Sequence, residues 1–145
     1  LFEKVRREVG EILPENLTSA EGLFGCGLSR TKAECLAACA VKFQSGELSA
    51  GKLSGMSDEE VIKTLTAIRG IGAWTAEMTL IFCLGRADVL SLADYGIRKG
   101  LSVLHGIEIN GMKNLAEMRK FKALYSPFGT AASVYLWEIA KEAKK

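Results

Sequence analysis

Residues 65–76 read LTAIRGIGAWTA, in which two glycines lie one residue apart between helix-forming runs. One helical pattern runs into the glycines and a second leaves them at once. Because glycine has no Cβ, another backbone can approach this turn closely. The helix that follows begins with amide N–H groups that have no partner inside the helix, and such a helix start attracts anions. The segment therefore predicts two helices joined by a tight turn that can bind a phosphate.

The two helices beside this turn have recognisable limits. Ser57 followed by Glu60 is typical of a capping box, in which each side chain accepts a hydrogen bond from the other residue's backbone N–H. We therefore expect one helix over about 58–68 and a second over about 73–84. The tight turn between them should contain Ile71.

The composition favours an all-α protein. The chain has 145 residues, only two prolines, 48% hydrophobic residues and 25% charged residues, which is an ordinary globular balance. We predict a compact helical bundle that forms a single domain over residues 1–145. Further helices are expected over about 2–12, 114–124 and 129–141, and the segment 47–55, rich in serine and glycine, is expected to be a loop.

Several classes of protein are disfavoured. The apolar run 80–84 is far shorter than a bilayer span requires, so no membrane association is expected. The formal net charge of +2 is by itself a weak argument for nucleic acid. Cys35 and Cys39 share a helix face, but two thiols without a second ligand pair do not make a metal site. We therefore expect buried, reduced cysteines and no metal ligands among the side chains.

Asp94 lies where a helix N-cap belongs, before Ile97 and Leu101 on one helical face. An N-cap aspartate stabilises a helix by about 1 kcal/mol, which is a sufficient structural reason for an acid at this position. A carboxylate held by backbone N–H groups also has a low pKa and stays ionised. The residues alone therefore leave open whether Asp94 only caps the helix or also acts chemically.

The order IRGIG over 68–72, then Thr75 and later Asp94, resembles the helix-hairpin-helix DNA glycosylases, which form the HhH-GPD superfamily. The position before the first glycine is often proline in that family, and here it is Arg69, which adds a cation near the turn. The resemblance implies that helix amides in this region hold the DNA backbone and that turn carbonyls hold a monovalent cation. The implied phosphate-binding residues are Arg69, Gly70, Gly72, Ala73 and Thr75, and the implied cation ligands are the carbonyls of Ile68 and Gly70. The alternative is a structural αα-hairpin that does not bind DNA.

The segment 92–99, LADYGIRK, resembles the part of the family that carries the catalytic acid at the start of a helix. Cleavage of a bond between sugar and base passes through a sugar with oxocarbenium character. A nearby carboxylate stabilises that cation or orients water toward it. The resemblance thus implies that Asp94 is the catalytic residue.

Trp74 occupies the position at which family members that also cut the DNA backbone carry a lysine. Tryptophan has no nucleophile, so the resemblance implies no lyase step. An indole here can stack on a flipped base, best on a positively charged one, which narrows the resemblance to the alkylbase branch of 3-methyladenine DNA glycosylase II. Met78, Tyr125 and Phe128 are expected to complete the base pocket. The alternative for Trp74 is a core residue at the start of a buried helix.

The resemblance implies a monofunctional DNA glycosylase that hydrolyses the N-glycosidic bond of alkylated purines in base excision repair. The implied partner is damaged double-stranded DNA, and a monomer is expected, in the cytoplasm (nucleoid) of a bacterium or otherwise in the nucleus. No iron–sulfur cluster is expected, because nothing after Cys83 could ligate it. We expect the domain to be incomplete before Leu1. Two alternatives stay open, a glycosylase for another lesion such as uracil or a mismatched base, and a DNA-binding module without catalysis.

Overall fold

The structure is a computed structural model that describes residues 1–108 and 115–143. Every regular element in those two ranges is a helix, with nine α-helices and one short 3-10 helix, which confirms the predicted all-α class. Within the same ranges, no helix combines the length and the apolar character that a membrane span needs. The chain forms two compact units, Leu1–Gly72 and Ala73–Lys145. That the whole chain acts as one domain stays a prediction.

The first unit contains five α-helices, of which the first three share a small apolar core. They are α1 (Phe2–Val9), α2 (Ala20–Phe24), α3 (Arg30–Gln44), α4 (Ala50–Ser54) and α5 (Asp58–Thr66), with a 3-10 helix at Pro14–Asn16. One cluster of buried side chains joins the first three helices, and it consists of Val5, Leu17, Leu23, Cys26, Ala33 and Ala40. The unit ends with the glycine turn, and Leu65 and Ile68, which lead into that turn, are buried.

Two expected boundaries in the first unit are wrong. The first helix ends at Val9 rather than near residue 12, because Gly10 adopts a φ of 78° and breaks the helical conformation. The segment 47–55 is not only a loop, since α4 lies inside it. The Ser49 hydroxyl accepts the N–H of Lys52 and caps that helix, and Leu53 is buried. The cap and the buried leucine stabilise a helix of five residues, which is too short to show a hydrophobic period in the sequence.

The hairpin helices follow their local signals. Helix α5 begins after the predicted capping box, in which Ser57 accepts from Glu60 and the Glu60 carboxylate accepts from Ser57. The N–H of Ile71 donates to the carbonyl of Ile68 at 3.0 Å, which closes the predicted turn. Gly70 has a φ of 97°, and a Cβ there would lie 2.9 Å from the Cβ of Cys35 on α3. Glycine is therefore required both by the backbone conformation and by the close approach of α3.

The second unit contains the remaining four helices. They are α6 (Ala73–Phe82), α7 (Tyr95–His105), α8 (Leu115–Tyr125) and α9 (Gly129–Glu142). The bounds of α6, α8 and α9 agree with the expected ones to within two residues, and the expected first residue of α8, Asn114, lies outside the described residues. The core of this unit is a cluster of buried side chains, namely Leu90, Leu92, Ile97, Leu101, Ile107, Met118, Phe121 and Leu136. This core joins α7, α8 and α9 to the loop that connects α6 to α7.

The cysteines are only partly as expected. All four are free thiols, and Cys26 is buried while Cys35 and Cys39 are half-buried. Cys83 is exposed, against expectation, because it lies just past the end of α6 beside the exposed Phe82. Burial raises the pKa of the Cys39 thiol to about 11, with a further contribution from the neighbouring Cys35, so this thiol is protonated at neutral pH.

Helices α7 and α9 cross at very short range at Gly100. A Cβ at this position would lie 2.3 Å from the carbonyl oxygen of Leu136 in the α9 backbone. Real side chains do not tolerate such a distance, and the obstacle is backbone rather than a movable side-chain end. Glycine at position 100 thus sets the separation of the two helices that carry most of the second core.

We expect Gly100→Ala to lower the free energy of unfolding by about 3 kcal/mol, because the added methyl group must push α9 away. Gly51→Ala in α4 is the matched control, since nothing lies within 4 Å of a Cβ there. That control should raise stability by up to about 1 kcal/mol through its effect on chain entropy. Urea unfolding followed by circular dichroism measures both. A Gly100→Ala variant as stable as the parent would contradict the close crossing.

Candidate active site

Asp94 is the N-cap of α7, as the sequence predicts. Its Oδ1 accepts the N–H of Ile97 at 2.9 Å, and its own N–H donates to the carbonyl of Ser91 at 3.1 Å. The carboxylate is therefore fixed to the first turn of α7 while the backbone before it is folded into a turn. A short loop that follows α6 thus presents a carboxylate in one defined orientation.

Two tryptophans also hold this carboxylate. The Trp74 indole Nε1–H donates to Oδ2 of Asp94 at 2.6 Å, and the Trp137 indole Nε1–H donates to Oδ1 at 2.9 Å. These are the only tryptophans in the chain. One comes from the first turn of α6 and the other from the second half of α9. The site therefore joins three segments that are far apart in the sequence but lie within the second unit.

The hydrogen bonds determine the charge of Asp94. Its partial burial raises the pKa of the carboxyl, but the hydrogen bonds from Trp137, the Ile97 backbone, Trp74 and the Gly96 backbone lower it by more. The pKa of Asp94 therefore lies below the ordinary aspartate value, and the group is ionised at neutral pH. Four donors also occupy the acceptor positions of a carboxylate, which is close to its full capacity.

Trp137 reaches Asp94 because the first turn of α7 contains Gly96. A Cβ at this position would lie 2.8 Å from Cδ1 of Trp137 and 3.0 Å from Oδ1 of Asp94. The Trp137 ring also stacks on Phe82 with centroids 5.9 Å apart. Sequence reasoning did not select Trp137 as a site residue. A glycine in the first turn of an otherwise good helix, directly after the acid, was the available signal of a close contact.

The loop before Asp94 is tied to the start of α9. The Asp88 carboxylate accepts the N–H of Gly129 at 2.9 Å and the hydroxyl of Ser126 at 2.6 Å, and these two bonds lower the pKa of Asp88. The Thr130 hydroxyl donates to the carbonyl of Arg86 at 2.6 Å. Helix α9 also carries Trp137. The same helix therefore holds both the loop that leads to Asp94 and one of the two indoles that bind Asp94.

The other residues predicted for the base pocket lie in different surroundings. Met78 is half-buried one turn after Trp74. The hydroxyl of Tyr125 lies 2.7 Å from Nε2 of His105, and its ring packs against the second core. Phe128 is exposed over 68% of its surface. Among the described contacts, none brings these three residues to Asp94, and their role in base binding stays a prediction.

A cavity of about 230 Å³ lies beside the carboxylate site. Tyr95 directly follows Asp94 in the chain, and Trp137 and Gly96 both contact Asp94. The cavity therefore shares residues with the site. Its lining includes two lysines. Its lining consists of Tyr95, Gly96, Lys99, Trp137, Ala140 and Lys141. Sequence reasoning did not group these residues, because α7 and α9 contribute them from distant positions.

The predicted phosphate-binding residues lie at the end of one unit and the start of the other. In the first unit, Arg69, Gly70 and Gly72 are exposed, and Arg69 lines a cavity of about 270 Å³ with residues of α3. In the second unit, Ala73 and Thr75 are exposed in the first turn of α6. Exposure leaves these positions accessible to a ligand, and the phosphate site stays a prediction.

Comparison with known proteins gives consistent relatives. No family model matches the chain. DNA-3-methyladenine glycosylase 1 of Schizosaccharomyces pombe is 39% identical over 122 residues, which are 83% of this chain and 53% of that protein. The chain thus spans about half the length of this curated relative.

Two solved structures have the same fold over nearly the whole chain. A 3-methyladenine DNA glycosylase of Schizosaccharomyces pombe, solved with abasic DNA, matches with a TM-score of 0.81 and 32% identity over 99% of this chain and 73% of that one. A DNA-3-methyladenine glycosidase from Bacillus halodurans matches with a TM-score of 0.80 and 37% identity over 99% of this chain and 68% of that one. Sequence and fold therefore point to the same group of proteins.

Proposed function

This chain belongs to the helix-hairpin-helix superfamily of DNA glycosylases, and we propose that it excises alkylated purines from duplex DNA by hydrolysis. The observation that carries the proposal is the Asp94 carboxylate, held by both tryptophans and by the first turn of α7. The relatives named for 3-methyladenine support the choice of alkylated purines. A glycosylase for uracil or a mismatched base would use the same acid, so the choice of lesion rests on the relatives and on Trp74.

In the proposed reaction, the bond between the deoxyribose and the base breaks first. Its electron pair leaves with the alkylated base, whose positive charge it neutralises, and the sugar gains oxocarbenium character. The ionised Asp94 carboxylate stabilises that cation through space. A water molecule then adds to the anomeric carbon and loses a proton to solvent, which leaves an abasic site.

The low pKa supports an electrostatic role for Asp94 over a role as a general base. A carboxylate whose pKa lies below its ordinary value is a weak base and takes a proton from water poorly. The four hydrogen bonds also fix its position before the reaction begins, so no reorganisation is needed when the sugar becomes cationic. Fixed negative charge is what the transition state requires.

Trp74 has two separate roles in this proposal, one for its N–H and one for its ring. Its N–H is bound to Asp94, while 48% of the residue is exposed, so part of the ring stays accessible. Stacking of that ring on a positively charged base adds cation–π attraction to ordinary stacking. Because position 74 has no amine, the sugar forms no Schiff base, and we propose that the protein lacks lyase activity.

Duplex DNA is the proposed partner, bound by a monomer through phosphate contacts at residues 69–75. A monovalent cation at the turn would add positive charge beside the DNA backbone. The carbonyl of Ile68 accepts the N–H of Ile71 and keeps a second lone pair for such an ion. This free lone pair supports the proposed cation site.

We expect Asp94→Asn to slow single-turnover base release from a duplex containing 7-methylguanine by a factor of about 10²–10³. The amide oxygen can still cap α7, but the charge is lost and the amide NH₂ opposes the Trp74 N–H. Asp58→Asn at the start of α5 is the control and should leave the rate unchanged. Release of uracil in place of methylated purines would contradict the lesion assignment, and an unchanged rate in Asp94→Asn would reduce the acid to a helix cap.

The two parts of Trp74 can be separated by substitution. Trp74→Phe keeps a stacking ring and removes the N–H, so it should slow base release about tenfold while preserving the preference for alkylated bases. Trp74→Ala should also lose discrimination, by about 1–3 kcal/mol. Borohydride should trap no covalent adduct of the parent protein with DNA. Such an adduct would overturn the proposed absence of lyase activity, and equal discrimination in both variants would remove the stacking role.

A further inference from the structure

Glu77 forms contacts that are not part of the carboxylate site described above. It lies on α6 one turn after Trp74, and its side chain is only 12% exposed. Its Oε2 accepts the hydroxyl of Ser91 at 2.5 Å, and Ser91 is fully buried. The ammonium group of Lys122 on α8 lies 3.8 Å from Oε1. A nearly buried glutamate thus binds a buried serine in the loop between α6 and α7.

Ser91 connects this contact to the acid. Its carbonyl accepts the N–H of Asp94 at 3.1 Å, so the two residues close one turn of the backbone. Helix α6 therefore holds the acid-bearing segment at two points. Trp74 binds the carboxylate of Asp94, and Glu77 binds the turn that leads to it.

We propose that Glu77 is a positioning residue, which holds the Ser91–Asp94 turn so that the carboxylate faces the reacting sugar. The proposal rests on the proposed glycosylase function. Glu77 itself touches neither the carboxylate of Asp94 nor, in this proposal, the DNA. Its action passes through the Ser91 hydroxyl and the backbone of the turn.

The free-energy cost of burying the Glu77 carboxylate favours a positioning role over simple packing. A carboxylate with little exposure loses much of its hydration, and an apolar side chain at the same position would avoid that cost. The Ser91 hydroxyl, being fully buried, needs a partner, and the carboxylate supplies a short and directional one. If that partner is removed, the turn must relax, and a displacement of about 1 Å in a catalytic group can cost up to about 10²-fold in rate.

The test compares four variants of the 145-residue chain. Glu77→Ala removes the acceptor, and Glu77→Gln keeps an oxygen acceptor for Ser91 without the charge. Ser91→Ala removes the donor and keeps the test open if Glu77→Ala does not fold. Glu117→Ala is the matched control, because that glutamate on α8 is half-exposed and forms a surface ion pair with Lys120.

The kinetic readout separates positioning from binding. Glu77→Ala and Ser91→Ala should release base about tenfold more slowly in single turnovers, whereas Glu77→Gln should stay within about threefold of the parent. The Kd for an abasic duplex should stay within about twofold in all variants, because the phosphate contacts are elsewhere. Glu117→Ala should match the parent in both measurements.

A second readout does not depend on activity. The two indole N–H groups of the chain both bind Asp94, so their NMR signals report on this carboxylate directly. Trp74→Phe and Trp137→Phe assign the signals. Glu77→Ala should shift the Trp74 signal and raise the pH midpoint at which it titrates, whereas Glu77→Gln and Glu117→Ala should not.

Two results would overturn the proposal. In the first, Glu77→Ala keeps the parent's indole signals and rate. In the second, Glu77→Gln is as slow as Glu77→Ala, which would mean that charge rather than the bond to Ser91 matters. If the parent chain releases no alkylated base, the proposed function fails separately, and the indole signals still decide whether Glu77 positions Asp94.

Discussion

The hydrogen bonds that the two indoles donate to Asp94 are the interaction on which the candidate active site depends most. They join the first turn of α6, the start of α7 and the second half of α9 at one carboxylate. Partial burial of that carboxylate raises its pKa, and the hydrogen bonds from four N–H donors lower the pKa by more. The result is a fixed negative charge at neutral pH. A reaction that creates positive charge on a sugar needs such a group and gains from its being in place beforehand.

The fixed position of the Asp94 carboxylate has steric and polar causes. Glycine at 96 lets the Trp137 ring approach the acid, and glycine at 100 lets α7 and α9 cross at backbone distance. Asp88 binds the loop to the start of α9, and Glu77 binds it to α6. These contacts hold the acid and the loop that leads to it against α6 and α9, so the geometry of the site rests on helices rather than on a free loop.

Sequence predicted those features whose causes are local. The capping box at Ser57 and the N-cap at Asp94 depend on residues three positions apart, and both were found as predicted. Helix α4 was missed because a five-residue helix is too short to show a hydrophobic period. Trp137 and Glu77 were not selected, because their partners are 43 and 14 residues away and only the folded chain brings them together. Long-range polar contacts of this kind leave almost no local pattern.

The most direct test of this account is the pH titration of the two indole N–H signals in the unmodified chain. Both groups donate to the same carboxylate, so both signals should move together as Asp94 is protonated. Because the hydrogen bonds lower the pKa of Asp94, the common midpoint should lie below the ordinary aspartate value of about 3.9. Both signals should then stay constant from pH 5 to pH 8 as the group remains ionised. A midpoint above that value, or two signals that titrate independently, would contradict a single carboxylate held ionised by both tryptophans.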